Sequence, residues 1–162
     1  MFRLRKLLRL KHDDKGAAAI EAALTFPFLV LLASGLFEFG SLFYNYEMIQ
    51  TGVRDAARYL ARVGNLPASE AAARNLAVRG TVDASAPLRV SWWNGADVQI
   101  IYKTTPNPVD PDTGLRLYRG SDPLTVVRVS TDLDYNALGL FNALGLGPVR
   151  VTAAHEERYV GQ

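Results

Sequence analysis

The chain of 162 residues contains no cysteine. That excludes a disulfide framework and any cysteine-based metal site, while leaving the compartment open, because an oxidising compartment permits disulfides without requiring them. Histidine is almost as scarce, with only His12 and His155. One histidine among scattered acids is too small a ligand set for a metal, and His155-Glu156-Glu157 reads as a solvated terminal strand. No phosphate-binding glycine loop and no Ser-His-Asp pattern is readable. The expectation is therefore a protein that is not an enzyme, with no cofactor and no small-molecule substrate.

Net charge is also small, at +2. It is unevenly placed. Residues 1–15 carry six basic groups against Asp13 and Asp14, and the remaining residues carry 12 basic and 14 acidic groups. The basic character belongs to a tail and argues against a nucleic-acid surface. Charge is scarcest between residues 16 and 37, where Glu21 stands alone. As helix this run is roughly 33 Å long, enough for a hydrocarbon core of roughly 30 Å. It exceeds the apolar core of a secretory signal, about 7–15 residues. Under the positive-inside rule, the basic flank keeps the N-terminus in the cytoplasm and sends the rest of the chain across the membrane.

Beyond the span, Phe39, Leu42, Tyr46, Ile49, Val53, Ala56, Leu60 and Val63 recur in steps of three and four. That is a heptad-spaced seam, suited to packing on the protein's own sheet or in a two-chain coiled coil. Gly64 supplies a helix stop, followed by Pro67. The helix predicted over 17–63 is roughly 70 Å long. Gly40 and Gly52 weaken it as a free-standing element, and Pro27 is expected to kink it.

A second helix is predicted over 68–79, ending at Gly80. Strands are predicted over 88–93 and 96–103, flanking Asn94-Gly95 as a hairpin turn, and again over 124–135 and 149–160. The loop 104–123 holds prolines at 106, 108, 111 and 123 and the sequence Asp110-Pro111-Asp112-Thr113-Gly114. This is a poor match to a calcium loop, since Gly114 and Ser121 fall where acidic ligands belong; a proline-rich acidic turn, possible as a partner-facing tip, fits better. The uncharged segment 137–147 leaves two readings open: a buried connection or short helix, and an apolar surface for the membrane or another subunit.

The fold class is therefore α+β. A long N-terminal transmembrane helix continues into an outer domain with a short second helix and a roughly four-stranded antiparallel sheet. The chain divides into a leader (1–16), the helix with its amphipathic extension (17–63) and an extracytoplasmic domain (64–162).

The residues Gly16-Ala17-Ala18-Ala19-Ile20-Glu21 resemble a prepilin-type processing site. Taken with Pro27, Phe37-Glu38-Phe39-Gly40 and Arg54-Asp55-Ala56-Ala57-Arg58-Tyr59, the stretch resembles the TadE-like family of pseudopilins from tight-adherence (Flp-type) pilus systems. Flp-type substrates often carry tyrosine after the glutamate, where this chain has Ala22. The resemblance implies a pilin-like fold and a minor pseudopilin that helps assemble the pilus. It implies cleavage between Gly16 and Ala17 by a prepilin peptidase, and a role for Glu21 in neutralising the terminal amine of a neighbouring subunit. Glu38, Gly40, Arg54 and Arg58 stand as family-motif positions. The implied partners are the membrane, other pilins or pseudopilins and the assembly machinery. The implied location is the bacterial inner membrane, single-pass, with a periplasmic domain or pilus association. The alternative is a single-pass membrane-anchored binding protein that keeps its leader.

Overall fold

The computed structural model describes residues 14–135 and 139–161. The leader before Asp14 and the Ala137-Leu138 start of the uncharged segment lie outside the described residues. The chain divides into two compact units, 1–40 and 41–162. Helix α1 (Asp14–Leu60) belongs to both.

In the first unit α1 carries a continuous apolar surface. Leu24, Phe26, Phe28, Leu29, Leu36 and Phe37 are all exposed. This helix is long and apolar enough to cross a membrane, consistent with single-pass anchoring. Its backbone polar groups bond within the helix, as a bilayer demands, except where Pro27 interrupts the pattern. Ser34 follows suit, its hydroxyl donating to the Val30 carbonyl at 2.8 Å. The helix continues through Pro27, which has no N–H to offer the carbonyl four residues back. Glu38 differs from its neighbours: it is only 1 % exposed and is engaged by polar interactions.

The second unit is built on residues 41–60 of α1. Ile49, Val53, Ala56 and Leu60 are fully buried, as the heptad spacing predicts. Gly52, Ala57 and Ala61 are buried beside them, so the seam is wider than a two-position stripe. Phe39, expected to open the seam, is exposed. The helix ends at Leu60, and Arg62 closes a tighter turn onto the Tyr59 carbonyl at 3.1 Å.

Helix α2 (Leu66–Arg79) starts earlier than its alanine-rich stretch suggests. The Asn65 side chain caps it by accepting the Ala68 N–H at 3.3 Å. Pro67 sits in its first turn, where a missing N–H costs nothing. Pro67 therefore opens this helix as well as following the end of the first. Gly80, at φ 80°, ends it in the left-handed conformation, its N–H bonded to the Leu76 carbonyl.

The sheet has three antiparallel strands in the order β1 (Gln99–Thr105), β2 (Leu124–Asp134) and β3 (Arg150–Arg158). Gln99 pairs with Ser130, and Val126 pairs with Arg158. Val127, Val129, Thr131, Val151 and Ala153 alternate inward, forming one core with α1 and α2.

The fourth strand is not found, and the expected hairpin at Asn94-Gly95 is replaced by something else. Residues 88–93 form bends and turns, and Gly95–Asp97 form one turn of 3₁₀ helix. Two features override the turn signal. The Asp97 carboxylate accepts the Asn94 N–H at 2.9 Å, which favours a helical turn over a hairpin turn. Trp93 is fully buried, and its indole N–H donates to Thr131 Oγ1 at 3.2 Å. Thr131 in turn donates to the Asp97 carbonyl at 2.9 Å. Arg74 of α2 adds bonds to the carbonyls of Gly95 and Val98. These contacts hold residues 93–98 in a compact turn where a hairpin was expected.

Candidate functional site

All the motif positions singled out in the sequence lie on α1. Gly16, Ala17 and Glu21 are helical and exposed. Ala17 and Glu21 are four residues apart and share one helix face. Gly40 is exposed, and a Cβ built there meets nothing within 4 Å.

Residues 52–58 form a different kind of site, where small residues and charges bind α1 to the rest of the second unit. At Gly52 a Cβ would lie 2.2 Å from the Ala77 carbonyl oxygen and 2.8 Å from the Trp93 ring. Only glycine allows α2 and Trp93 to approach this closely. Ala56 and Ala57 continue the contact strip. Between them and Gly52, Asp55 accepts a 2.7 Å charge-assisted hydrogen bond from Arg89, which is mostly buried. Arg58 reaches β3, with its Nε 3.5 Å from Glu157. Glu157 also bonds His155 Nε2 at 3.0 Å. The hydrogen bond from His155, and then Arg58, hold the Glu157 carboxyl below the usual carboxylate range. Arg54 points to solvent. The Arg-x-Ala-Ala-Arg signature thus works locally as a docking cassette: two alanines supply contact, and Asp55 and Arg58 supply orientation.

The loop 104–123 is a second organised region. Asn107 is buried at its centre. Its Nδ2 donates to the Tyr118 and Ser121 carbonyls at 2.8 and 3.3 Å, its Oδ1 accepts the Tyr118 N–H at 3.1 Å, and its own N–H donates to Asp122. Arg116 donates to the Asn107 carbonyl at 2.8 Å. Asp110 Oδ1 accepts the N–H groups of Asp112 and Thr113, and these bonds hold its carboxyl below the usual range. That carboxylate is spent on an acidic turn rather than aimed at an ion, and among the described residues no group of three or more acidic, His or Cys side chains is placed to hold a metal. Val109, Leu115 and Leu117 are exposed around an open cleft of about 550 Å³.

Sequence reasoning missed three residues here. Gly52 was read as a weakness of the helix and is its closest contact. Trp93 falls in the stretch read as a strand over 88–93, which gave no sign of its burial against Gly52 and Thr131. Asn107 gave no signal, because a polar residue in a proline-rich loop is usually solvated.

Together these features define a class: an α+β module built on the extension of an apolar helix that, among the described residues, is the one long enough to cross a membrane. Within it, residues 16–58 match the family model of TadE-like protein. The stretch that carries the resemblance is thus the stretch the family describes, a structural family associated with the tight-adherence pilus. The match ends at Arg58, the last residue of the docking cassette, and before α2 and the sheet. No curated protein matches the chain, and no solved structure does.

Proposed function

We propose that the protein is a minor pseudopilin-like component of tight-adherence pilus assembly. The family match over 16–58 carries this reading. The helix supports it, since one element serves as both the apolar segment and the spine of the outer module. The basic leader holds the N-terminus in the cytoplasm of an inner-membrane protein, and the outer module faces the periplasm.

In this reading a prepilin peptidase cuts between Gly16 and Ala17 and removes the positive leader. The new amine on Ala17 lies at the cytoplasmic face. Glu21, one turn further on, pairs with the corresponding amine of a neighbouring pilin or pseudopilin. An unpaired carboxylate in the span costs a few kcal/mol, so the pairing selects subunits in the correct axial register. Pro27 bends the helix to fit its neighbours. The loop 104–123 presents its apolar rim to the assembly machinery.

The test is the intact mass of the chain extracted from membranes. The expected product begins at Ala17. A chain that begins at Met1 removes processing and leaves a membrane-anchored binding protein as the better description. Glu21→Ala should leave the protein in the membrane and abolish piliation; normal piliation in that variant would remove the pairing role.

A further inference from the structure

Three contacts fix how α1 runs relative to β3 within the second unit. Gly52 lies against Trp93, Trp93 bonds Thr131, and Thr131 pairs with Ala153. Arg58 meets Glu157. The Ala61 carbonyl accepts the Val160 N–H at 2.8 Å. Residues 52, 58 and 61 therefore meet the strand in the same order as 153, 157 and 160, so helix and strand point the same way.

Extending this correspondence backwards locates the β2–β3 connection. From Gly52 to Ser41 the helix recedes by roughly 16 Å at 1.5 Å per residue. Along β3 the same distance is about five residues at 3.3 Å each, which reaches the Tyr135–Val149 bond that closes the strand pair. The closure of β2 on β3 thus sits near the level of Ser41 on α1. The loop 104–123 sits at the other end, since Thr105 pairs with Leu124 and Val126 with Arg158.

The segment 139–147 is built to hold apolar side chains outward. It contains no charged residue. Its helix α3 (Leu140–Ala143) is closed by Gly145 at φ 71°, with Leu146 N–H bonded to the Phe141 carbonyl and Gly145 N–H to the Asn142 carbonyl. Phe141 turns inward against the Tyr135 ring at 6.1 Å. Leu144 and Leu146 turn outward, at 48 % and 66 % exposure. On α1 at the same level, Phe43 and Tyr44 are also exposed, in the position where membrane proteins carry interfacial aromatics.

We propose that the uncharged knuckle 139–147 is a second membrane contact, with Leu144 and Leu146 entering the interfacial layer of the lipid bilayer beside the emerging helix. This rests on the membrane-anchoring reading of α1. The outer module would then be held at two points, which restricts its tilt and rotation about the helix. The cysteine-free sequence makes a direct test simple. Single-cysteine variants Leu146→Cys, Leu117→Cys and Leu29→Cys of the full chain are labelled with an environment-sensitive fluorophore and reconstituted into vesicles of phosphatidylethanolamine and phosphatidylglycerol.

The expected result is a blue-shifted emission at position 146 that is quenched by lipids brominated on their acyl chains. Position 117, still more exposed at 81 % but at the other end of the sheet, should keep a water-like emission without quenching. Position 29, in the apolar run, reports anchoring itself. Quenching at 29 with a water-like signal at 146 overturns the proposal and leaves the anchor intact. No quenching at 29 removes the anchor and the proposal together. Equal quenching at 146 and 117 also overturns it, since contact would then not depend on which end of the sheet carries the label.

Discussion

Gly52→Ala tests the packing argument at its tightest point. The added Cβ would lie 2.2 Å from a backbone oxygen and 2.8–2.9 Å from two carbons of a buried indole. Ordinary contact begins at 3.4 Å, so the Ala77 carbonyl must retreat by about 1 Å, carrying α2 with it. Trp93 cannot absorb the strain by rotating, because its indole N–H is held by Thr131. Overpacking of this kind costs about 3 kcal/mol. The substitution also gains roughly 1 kcal/mol, because alanine is the better helix former. The net loss is about 2 kcal/mol, a fall of about 8 °C in melting temperature for a unit of this size. Thermal unfolding of the full chain in detergent, followed by tryptophan fluorescence, reads this directly. Gly40→Ala is the control, since its Cβ meets nothing; it keeps the propensity gain and should not lower the midpoint. A Gly52→Ala protein that melts at or above the parent would refute the close approach of α1, α2 and Trp93.

Two further predictions concern the second unit. Asn107→Ala removes three side-chain hydrogen bonds from a buried position and should destabilise the loop 104–123 by about 2 kcal/mol; limited proteolysis should cut within the loop much faster while the sheet's melting point changes little. The lowered Glu157 carboxyl gives a pH dependence of known sign: the unfolded chain binds its proton more readily, so the stabilisation is present above the ordinary value of 4.5 and is lost as pH falls through the folded value. Urea unfolding between about pH 5 and pH 3 should show a shallower acid slope in Glu157→Gln than in the parent.

What was legible in the sequence was whatever local pattern decides. The apolar run, the seam at Ile49, Val53, Ala56 and Leu60, and the strand carrying Val127 and Val129 follow from periodicity, and the structure keeps them. The α+β class followed, as did the stretch that matches the family. What failed were positions decided by distant partners. Asn94-Gly95 is a strong hairpin signal alone, but Asp97, Arg74 and Thr131 bend the chain into a 3₁₀ turn there, so the sheet loses its expected fourth strand. Gly52 looks like a helix defect until Ala77 and Trp93 are in place. The organisation around Asn107 depends on carbonyls 11 and 14 residues away, beyond the reach of turn rules.

The closure of the second unit on its last strand bears on how the protein is made. Val160 and the Tyr159 hydroxyl bond the carbonyls of Ala61 and Val63, so the end of α1 is not secured until about a hundred later residues have been translated. At 5–20 residues per second that takes roughly 5–20 s. During this interval the apolar helix is already complete, while the seam from Ile49 to Leu60 lacks the cover that β3 supplies. The nascent chain must therefore hold this apolar seam without its full cover until synthesis ends.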